Sequence, residues 1–288
     1  MQEILRKLQE RAASNTTTNH HQSPGNSDKC PKCHGVGWLI GKDENGYDVG
    51  KECECQEVKK QQARYKNAMI PDEYENYSFQ NFEIREDVHD QMLKSIVEYL
   101  KTFPDKKPEP AAIRKLDDRN DIKGPSFGFI ATYGEQRIKN IQTPTERRRA
   151  FQEHNNFGIG KSHLTISAAK YLIKRGYKVQ VVSDPVYIED VMAAKRESNE
   201  AYHNLLSHVT HYADFVVWDD LGKLNWSEAR EVVYYRIFDE LYKLGKPVIF
   251  SSNEDIETLS DKIGHAAASR LKGMCGGYLY PVEGKDQR

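Results

Sequence analysis

The chain has 288 residues, which is enough for one sizeable hydrophobic core and one small additional module. Its 42 basic and 43 acidic residues nearly cancel, so a globally basic nucleic-acid-binding protein is not indicated and any DNA contact needs a local patch. A mean hydropathy of -0.77 and the lack of a long apolar run argue against a membrane span. The charged N-terminus lacks the apolar core of a signal peptide, so we expect a cytoplasmic protein.

The N-terminal region divides into three parts. Residues 1–13 have the apolar spacing of a short amphipathic helix, and the polar tract 14–28 is predicted to be a disordered linker. Residues 29–69 are predicted to form a small domain of their own, which is marked by its cysteines.

Four of the five cysteines lie within 26 residues, as Cys30-x-x-Cys33 and Cys53-x-Cys55. In a chain without a secretion signal such clustering favours a metal over disulfides, and four thiolates match tetrahedral Zn²⁺. Glycines between the two pairs supply the turns of a hairpin, so we predict a zinc ribbon. The alternatives are a redox Cys-x-x-Cys pair or unrelated free thiols.

A connecting region follows the cysteines. A basic helix over 56–68 precedes an extended approach over 70–82, and apolar positions at helical spacing predict a helix over 86–102. The stretch 104–125 carries four prolines and many charges, which is typical of a surface loop.

From residue 127 onward, apolar strands alternate with helices. We predict strands at 127–133, 177–183, 214–219, 247–252 and 277–282, and helices at 161–175, 185–211, 227–244 and 255–273. The strands are nearly continuous apolar runs, which indicates a parallel sheet covered by helices on both faces. Residues 70–288 are therefore predicted to be one α/β domain.

The segment Phe157-Gly-Ile-Gly-Lys-Ser162 matches the end of a phosphate-binding P-loop, G-x-x-x-x-G-K-[ST]. The first glycine of the motif is missing because Asn155 stands in its place, and no apolar strand directly precedes the loop. An apolar strand followed by Gly134 does occur upstream, and joining Gly134 to Asn156 completes the motif. We therefore interpret 135–155 as an insert of 21 residues within the P-loop.

This insert leaves three interpretations open. The first is a bulge into solvent that preserves phosphate binding, since loop closure becomes only slowly more costly as a loop lengthens. The second is a regulatory element, and the third is a lesion that abolishes nucleotide binding. The predicted nucleotide-binding residues are Gly134, Asn156, Gly158, Ile159, Gly160, Lys161, Ser162 and His163.

Two further apolar strands end in polar residues that fit an ATP site. Asp219 and Asp220 come at the end of one strand, and Asn253 follows the next. The carboxyl ends of parallel strands meet at one edge of a sheet, so these side chains are expected near the P-loop. We predict that Asp219 holds Mg²⁺ through water, that Asp220 polarises the attacking water, and that Asn253 orients this water or senses the γ-phosphate.

Three cationic or hydroxyl side chains complete the expected chemistry. Lys161 is expected to reach the β- and γ-phosphates, and the Ser162 hydroxyl is expected to ligate Mg²⁺. Hydrolysis in such sites often needs a cation from a neighbouring subunit. Arg270 is the candidate, because it lies on a late helix beyond Asn253.

Together these residues resemble the DnaC/DnaI helicase-loader family of AAA+ ATPases, which is close to the IstB-like transposition ATPases. The resemblance rests on Cys30-Pro-Lys-Cys33-His-Gly-Val-Gly-Trp38, Cys53-Glu-Cys55, Ile70-Pro71, Tyr77-Ser-Phe79, Gly158-Ile-Gly-Lys-Ser-His-Leu164, Trp218-Asp-Asp-Leu-Gly222 and Ser269-Arg-Leu271. It covers residues 28–283, apart from the stretches 104–125 and 135–155.

The resemblance implies an AAA+ P-loop ATPase core preceded by a zinc-binding domain that binds a helicase. Within this family, Lys161, Ser162 and Asp219 correspond to ATP–Mg²⁺ residues, Asn253 to sensor 1 and Arg270 to the arginine finger. Such loaders bind a hexameric replicative helicase and deliver it onto single-stranded DNA under ATP control. They self-associate through the AAA+ domain into ring segments or spirals.

Two other functions stand beside that of a loader. One is an IstB-like ATPase that assists a transposase, and the predicted zinc ribbon counts against it. The other is a helicase adaptor or inhibitor on the same fold, whose nucleotide binding is impaired by the insert. Nucleotide binding separates this last function from the loader.

Overall fold

Two structural units, Met1–Asn67 and Ala68–Arg288, make up the chain. The structure, a computed structural model, describes residues 30–104 and 123–286. The predicted helix at 1–13, the predicted disordered tract and most of the predicted surface loop lie outside the described residues. Among the residues that are described, no helix is both long and apolar enough to span a membrane.

The first unit contains a β-hairpin followed by one helix. Strands β1 (Trp38–Lys42) and β2 (Asp48–Glu52) pair antiparallel along their full length, and helix α1 (Glu54–Asn67) buries no residue. Within the described part of this unit, the buried side chains are those of Cys33 and Cys53. Such a small apolar core stabilises a fold only weakly, so the unit needs another source of stability, such as disulfide bonds or a bound metal ion.

The second unit is built on a five-stranded parallel sheet. Its strands are β3 (Phe127–Ala131), β4 (Val179–Ser183), β5 (Phe215–Asp219), β6 (Val248–Ser251) and β7 (Leu279–Val282), in the order β4-β5-β6-β3-β7. Strand β3 lies between β6 and β7. Strands β3 to β6 are almost entirely buried, as continuous apolar runs predict. The predicted α/β fold with a parallel sheet is confirmed.

Helices cover both faces of this sheet. The helices described in this unit are α2 (Asp87–Lys101), α3 (Glu135–Asn140), α4 (Pro144–Glu153), α5 (Lys161–Lys174), α6 (Asp184–Glu197), α7 (Asn199–Ser207), α8 (Glu228–Leu244), α9 (Ile256–Ile263) and α10 (His265–Cys275). In β5, the Phe215 ring packs on Phe103, which follows α2, at a centroid distance of 4.8 Å. The Trp218 ring packs on Phe238 of α8 at 5.2 Å. Side chains three apart on a strand point to opposite faces, so both faces are covered.

Some helix boundaries differ from the prediction because the backbone of a single residue ends one helix and begins the next. The predicted helix at 185–211 is broken at Ser198, whose extended backbone and side-chain oxygen cap α7 by accepting the Ala201 N–H. The predicted helices at 255–273 meet at Gly264, which has a φ of 92°. Apolar spacing continues through both breaks, and this is why the sequence pattern did not locate them.

Candidate nucleotide-binding site

Residues 156–160 form a loop that leads into helix α5, and together with residues 161–163 in the first turn of that helix they line a cavity of about 530 Å³. Gly158 and Gly160 have φ angles of 65° and 89°, a region that residues with a side chain rarely adopt. A Cβ atom on Gly160 would also lie 2.5 Å from a carbon of the Phe82 ring. The first turn of α5 therefore opens toward the cavity, and a helix N-terminus in this position suits an anion.

The side chain of Lys161 is directed back into the loop. Its Nζ donates a hydrogen bond to the Asn156 carbonyl at 2.5 Å, and the residue is only 6% exposed. Burial lowers the pKa of Lys161 to about 8, against the opposing pull of the Asp220 and Asp219 carboxylates. A buried ammonium held inside the loop, on the Asn156 carbonyl, is placed to bind phosphate oxygens.

Asp219 lies just behind the loop and accepts three hydroxyl hydrogen bonds. Its Oδ1 accepts from Ser162 Oγ at 2.7 Å and from Ser251 Oγ at 2.6 Å, and its Oδ2 accepts from the Tyr74 hydroxyl at 3.0 Å. The residue is 4% exposed and does not itself line the cavity. A serine hydroxyl beside a carboxylate is the kind of oxygen donor set that Mg²⁺ prefers, so these residues fit the ion.

Asp220 and Asn253 both line the cavity, and they contact each other. Asn253 Nδ2 donates to Asp220 Oδ1 at 3.4 Å, and the Asp220 N–H donates to Ser251 Oγ at 3.1 Å. Asp220 has a φ of 54°, in the left-handed region that residues with a side chain rarely adopt. Burial, followed by the nearby Asp219 charge, raises the pKa of Asp220. A carboxyl group with a raised pKa is better matched to accepting a proton from water.

A segment for which the sequence predicted only an extended approach also lines the cavity. We call residues 72–82 the aromatic segment; its Glu73, Tyr74 and Tyr77 lie on the cavity wall. The Tyr77 ring stacks on His163 of the loop at 4.4 Å, with the two planes 2° apart. The sequence signals for this segment are its density of aromatic residues, which has no helical or strand period, and the stretch Tyr77-Ser-Phe79 of the family resemblance.

The insert at 135–155 folds as helices α3 and α4 beside the loop. Its ends lie together, because Asn156 Nδ2 donates to the Tyr133 carbonyl at 3.4 Å. The Phe151 ring of α4 stacks on Phe157 at 5.3 Å, and the buried Glu135 carboxylate lies 3.6 Å from the ammonium of Lys223 on the cavity wall. This geometry favours the interpretation of the insert as a bulge that leaves the loop closed.

Gly134 differs from the other predicted nucleotide-binding residues because it does not line the cavity. It caps the start of α3, and its N–H donates to Asp255 Oδ2 at 2.9 Å. Arg137 of α3 pairs with the same carboxylate at 2.6 Å. The first helix of the insert thus uses the backbone group that an uninterrupted loop would direct at phosphate.

Arg270 lies on α10, away from the cavity lining. Its Nε pairs with Asp239 at 2.6 Å, and its guanidinium lies over the Tyr235 ring at 4.7 Å. The side chain is therefore held on α8, outside the cavity lining of its own chain. This placement is consistent with a role toward a second copy of the chain.

The four clustered cysteines converge in the first unit. Their sulfur atoms all lie within 4.8 Å of one another, with Cys30 and Cys53 at 3.7 Å and Cys33 and Cys55 at 3.5 Å. Sulfurs bound tetrahedrally at the usual Zn–S length are about 3.8 Å apart, so the cluster fits Zn²⁺. Cys275, the fifth cysteine, is buried in the other unit.

Residues 120–274 match the family described as the bacterial DnaA ATPase domain. Among curated proteins, the chain is 28% identical over 131 residues to the chromosomal replication initiator protein DnaA of Aquifex aeolicus. That match covers 45% of this chain and 31% of the relative, so the chain spans about a third of the length of this relative.

Solved structures show the same fold. The crystal structure of the DnaC helicase loader matches with a TM-score of 0.52 at 16% identity, over 73% of this chain and 99% of that one. The AMPPCP-bound DnaA from Aquifex aeolicus matches with a TM-score of 0.50 at 19% identity, over 73% and 50% respectively. These likenesses confirm the predicted AAA+ ATPase fold, which the chain shares with the DnaC helicase loader.

Proposed function

Because the chain belongs to the family of bacterial DnaA ATPase domains, we propose that it is an ATP-dependent loader of a hexameric replicative DNA helicase. It binds the helicase through the cysteine-rich first unit and delivers it onto single-stranded DNA during replication initiation, in the cytoplasm. The fold likeness to the DnaC helicase loader, over nearly all of that protein's length, supports this choice among replication ATPases.

One observation carries the nucleotide part of the proposal. Ser162 at the start of α5 and Asp219 at the end of β5 are joined by a 2.7 Å hydrogen bond, beside the buried ammonium of Lys161. In this arrangement Lys161 binds the β- and γ-phosphates, while Ser162 and Asp219 hold Mg²⁺. The ion would supply charge neutralisation as the bond to the terminal phosphate breaks.

The remaining site residues act on water and on the neighbouring subunit. Asp220 polarises the attacking water, and Asn253 orients that water from the adjacent strand end. Arg270 completes the site of a second copy, so hydrolysis requires self-association through the AAA+ domain. Its partly exposed position on α10, with 29% of the side chain accessible, and its absence from the cavity lining of its own chain support this assignment.

The loader function is tested by complex formation with a hexameric replicative helicase. We expect size-exclusion chromatography to show a complex whose amount depends on ATP and Mg²⁺, and Lys161→Ala to remove that dependence. A complex of equal strength with and without ATP would favour the adaptor or inhibitor function. No complex under any nucleotide condition would contradict the proposal.

ATP binding is expected to weaken above about pH 8. In the nucleotide-free chain the pKa of Lys161 is about 8, and bound phosphates would raise it, so binding takes up a proton at higher pH. Affinity should then fall by up to about tenfold for each pH unit above this value. Calorimetry in buffers of different ionisation enthalpy measures the proton uptake.

Lys161→Arg is the control for this pH dependence, since a guanidinium stays charged over the whole range. Its ATP affinity, whatever its absolute value, should stay constant between pH 7 and pH 9. A constant affinity in the unmodified chain would show that Lys161 is not the group that titrates.

A further inference from the structure

Tyr74 is the only cavity-lining phenol whose hydroxyl reaches a predicted metal-site carboxylate among the described residues. It ends a short 3-10 turn, Asp72–Tyr74, and its hydroxyl donates to Asp219 Oδ2 at 3.0 Å. The two residues are 145 positions apart in the chain, so the contact arises from the fold alone. Burial, then the Asp219 charge, raises the pKa of Tyr74, so the phenol stays protonated and donates.

The hydroxyl donors around Asp219 fix the orientation of its carboxylate. A carboxylate oxygen accepts about two hydrogen bonds, and Oδ1 already accepts from Ser162 and Ser251. Oδ2 accepts from Tyr74 and keeps one further acceptor site. Without Tyr74, one oxygen of a carboxylate that is 4% exposed would lose its partner, which is costly in a buried position.

The phenol also connects this buried carboxylate to the cavity. Tyr74 lines the cavity wall, whereas Asp219 does not. A hydroxyl that donates to a carboxylate becomes a stronger acceptor at its own oxygen, because hydrogen bonds in a chain polarise one another. The Tyr74 oxygen can thus accept a hydrogen bond from a water molecule in the cavity while its own O–H continues to donate to Asp219.

The position of the phenol is fixed by helix α5. Lys170 Nζ donates to the carbonyls of Tyr74 and Glu75, both at 2.6 Å. The Tyr74 ring stacks on Tyr77 at 5.0 Å, and Tyr77 in turn stacks on His163 at 4.4 Å. The same helix that begins with the loop lysine therefore holds the hydroxyl in place, which is the support that a precise metal site needs.

We propose that Tyr74 is a positioning residue of the Mg²⁺ site, which orients Asp219 and extends its hydrogen bonding to the water shell of the ion. This inference rests on the proposed ATP binding and deepens it. According to this inference, the aromatic segment contributes to Mg²⁺ binding, and this contribution is the same whichever base the nucleotide carries.

The test compares nucleotide affinity with and without Mg²⁺. Tyr74→Phe removes the hydroxyl and keeps the ring that stacks on Tyr77. We expect it to raise the Mg²⁺ concentration needed for half-maximal tightening of a non-hydrolysable ATP analogue by about tenfold, since a hydrogen bond to a charged group is lost. Affinity for the analogue in EDTA should be unchanged, which a merely structural role of the side chain would not produce.

Tyr77→Phe is the matched control. Tyr77 lines the same cavity and stacks in the same row of rings, and its hydroxyl has no hydrogen bond within the described part of the chain. This variant should keep the Mg²⁺ requirement of the unmodified chain. A requirement that Tyr74→Phe leaves unchanged would overturn the inference. A lowered requirement would also overturn it, because the hydroxyl would then compete with the ion.

Failure of the inference can be told apart from failure of the proposed function. If the unmodified chain binds no analogue, or binds it equally well after Lys161→Ala, the proposed ATP site itself is wrong and the assignment of Tyr74 is overturned with it. If the unmodified chain shows Mg²⁺-dependent binding and Tyr74→Phe behaves like Tyr77→Phe, only the assignment of Tyr74 is overturned. Circular dichroism of each variant confirms that it is folded.

Discussion

Lys161→Ala is expected to weaken ATP binding by at least about a hundredfold, to the point where micromolar nucleotide no longer saturates the chain. The ammonium is buried within the loop and is held on the Asn156 carbonyl at 2.5 Å. The loss of a charge-assisted contact to phosphate, together with the vacated buried position, accounts for an effect of this size. Calorimetric titration with ATP and Mg²⁺ measures it.

Lys174→Ala is the control for the charge itself, because Lys174 ends the same helix and is exposed. It should leave the ATP affinity within about twofold, as expected for a surface position. A variant lacking residues 135–155 provides the second comparison. Binding seen only after this deletion would contradict the expectation for the intact chain, because the insert would then block the loop.

Cys53→Ser is expected to remove zinc from the chain and to unfold its cysteine-rich unit. Among the described side chains of that unit, the buried ones belong to Cys33 and Cys53. Without zinc, the unit therefore has too little apolar core to stay folded. A structural zinc site contributes on the order of 10 kcal/mol to the folding of a small domain, far more than such a core can. Metal analysis of the purified chain and amide hydrogen exchange over 30–67 measure both effects.

Cys275→Ala is the matched variant for this experiment. Cys275 is buried in the second unit, where burial raises the pKa of its thiol to about 12 and keeps it from acting as a thiolate. This variant should retain one zinc per chain and full exchange protection over 30–67. Full zinc content in Cys53→Ser would instead show that the cluster does not hold the metal.

The strands of the sheet were predicted correctly from the sequence. A strand that is covered on both faces carries apolar residues at nearly every position, so it is visible as a continuous apolar run. The segment Phe215–Asp219 is such a run, and it ends at the carboxylate that the structure brings to Ser162. Breaks such as that at Ser198 were missed, since a cap depends on local dihedral angles and not on apolar spacing. The loop residues were found because a phosphate-binding motif is contiguous and local.

Residues that meet only through the fold could not be predicted in this way. The hydroxyl of Tyr74 reaches Asp219 across 145 positions, and no periodicity marks it. Gly134 is the opposite case. Completing the P-loop motif across the insert predicts that Gly134 contacts phosphate, whereas in the structure its N–H donates to Asp255. In both cases the position of the residue depends on contacts with residues that are distant in the sequence.

The strand order has a consequence for the covalent path through the insert. Strand β3 precedes residues 135–155, yet it is hydrogen-bonded between β6 and β7, which both follow them. A peptide bond cleaved within the insert would therefore leave two fragments held together by the hydrogen bonds of β3 to β6 and β7, with the loop still continuous with α5. The insert thus lengthens the chain between the first core strand and the phosphate loop without changing which strands hold β3 in place.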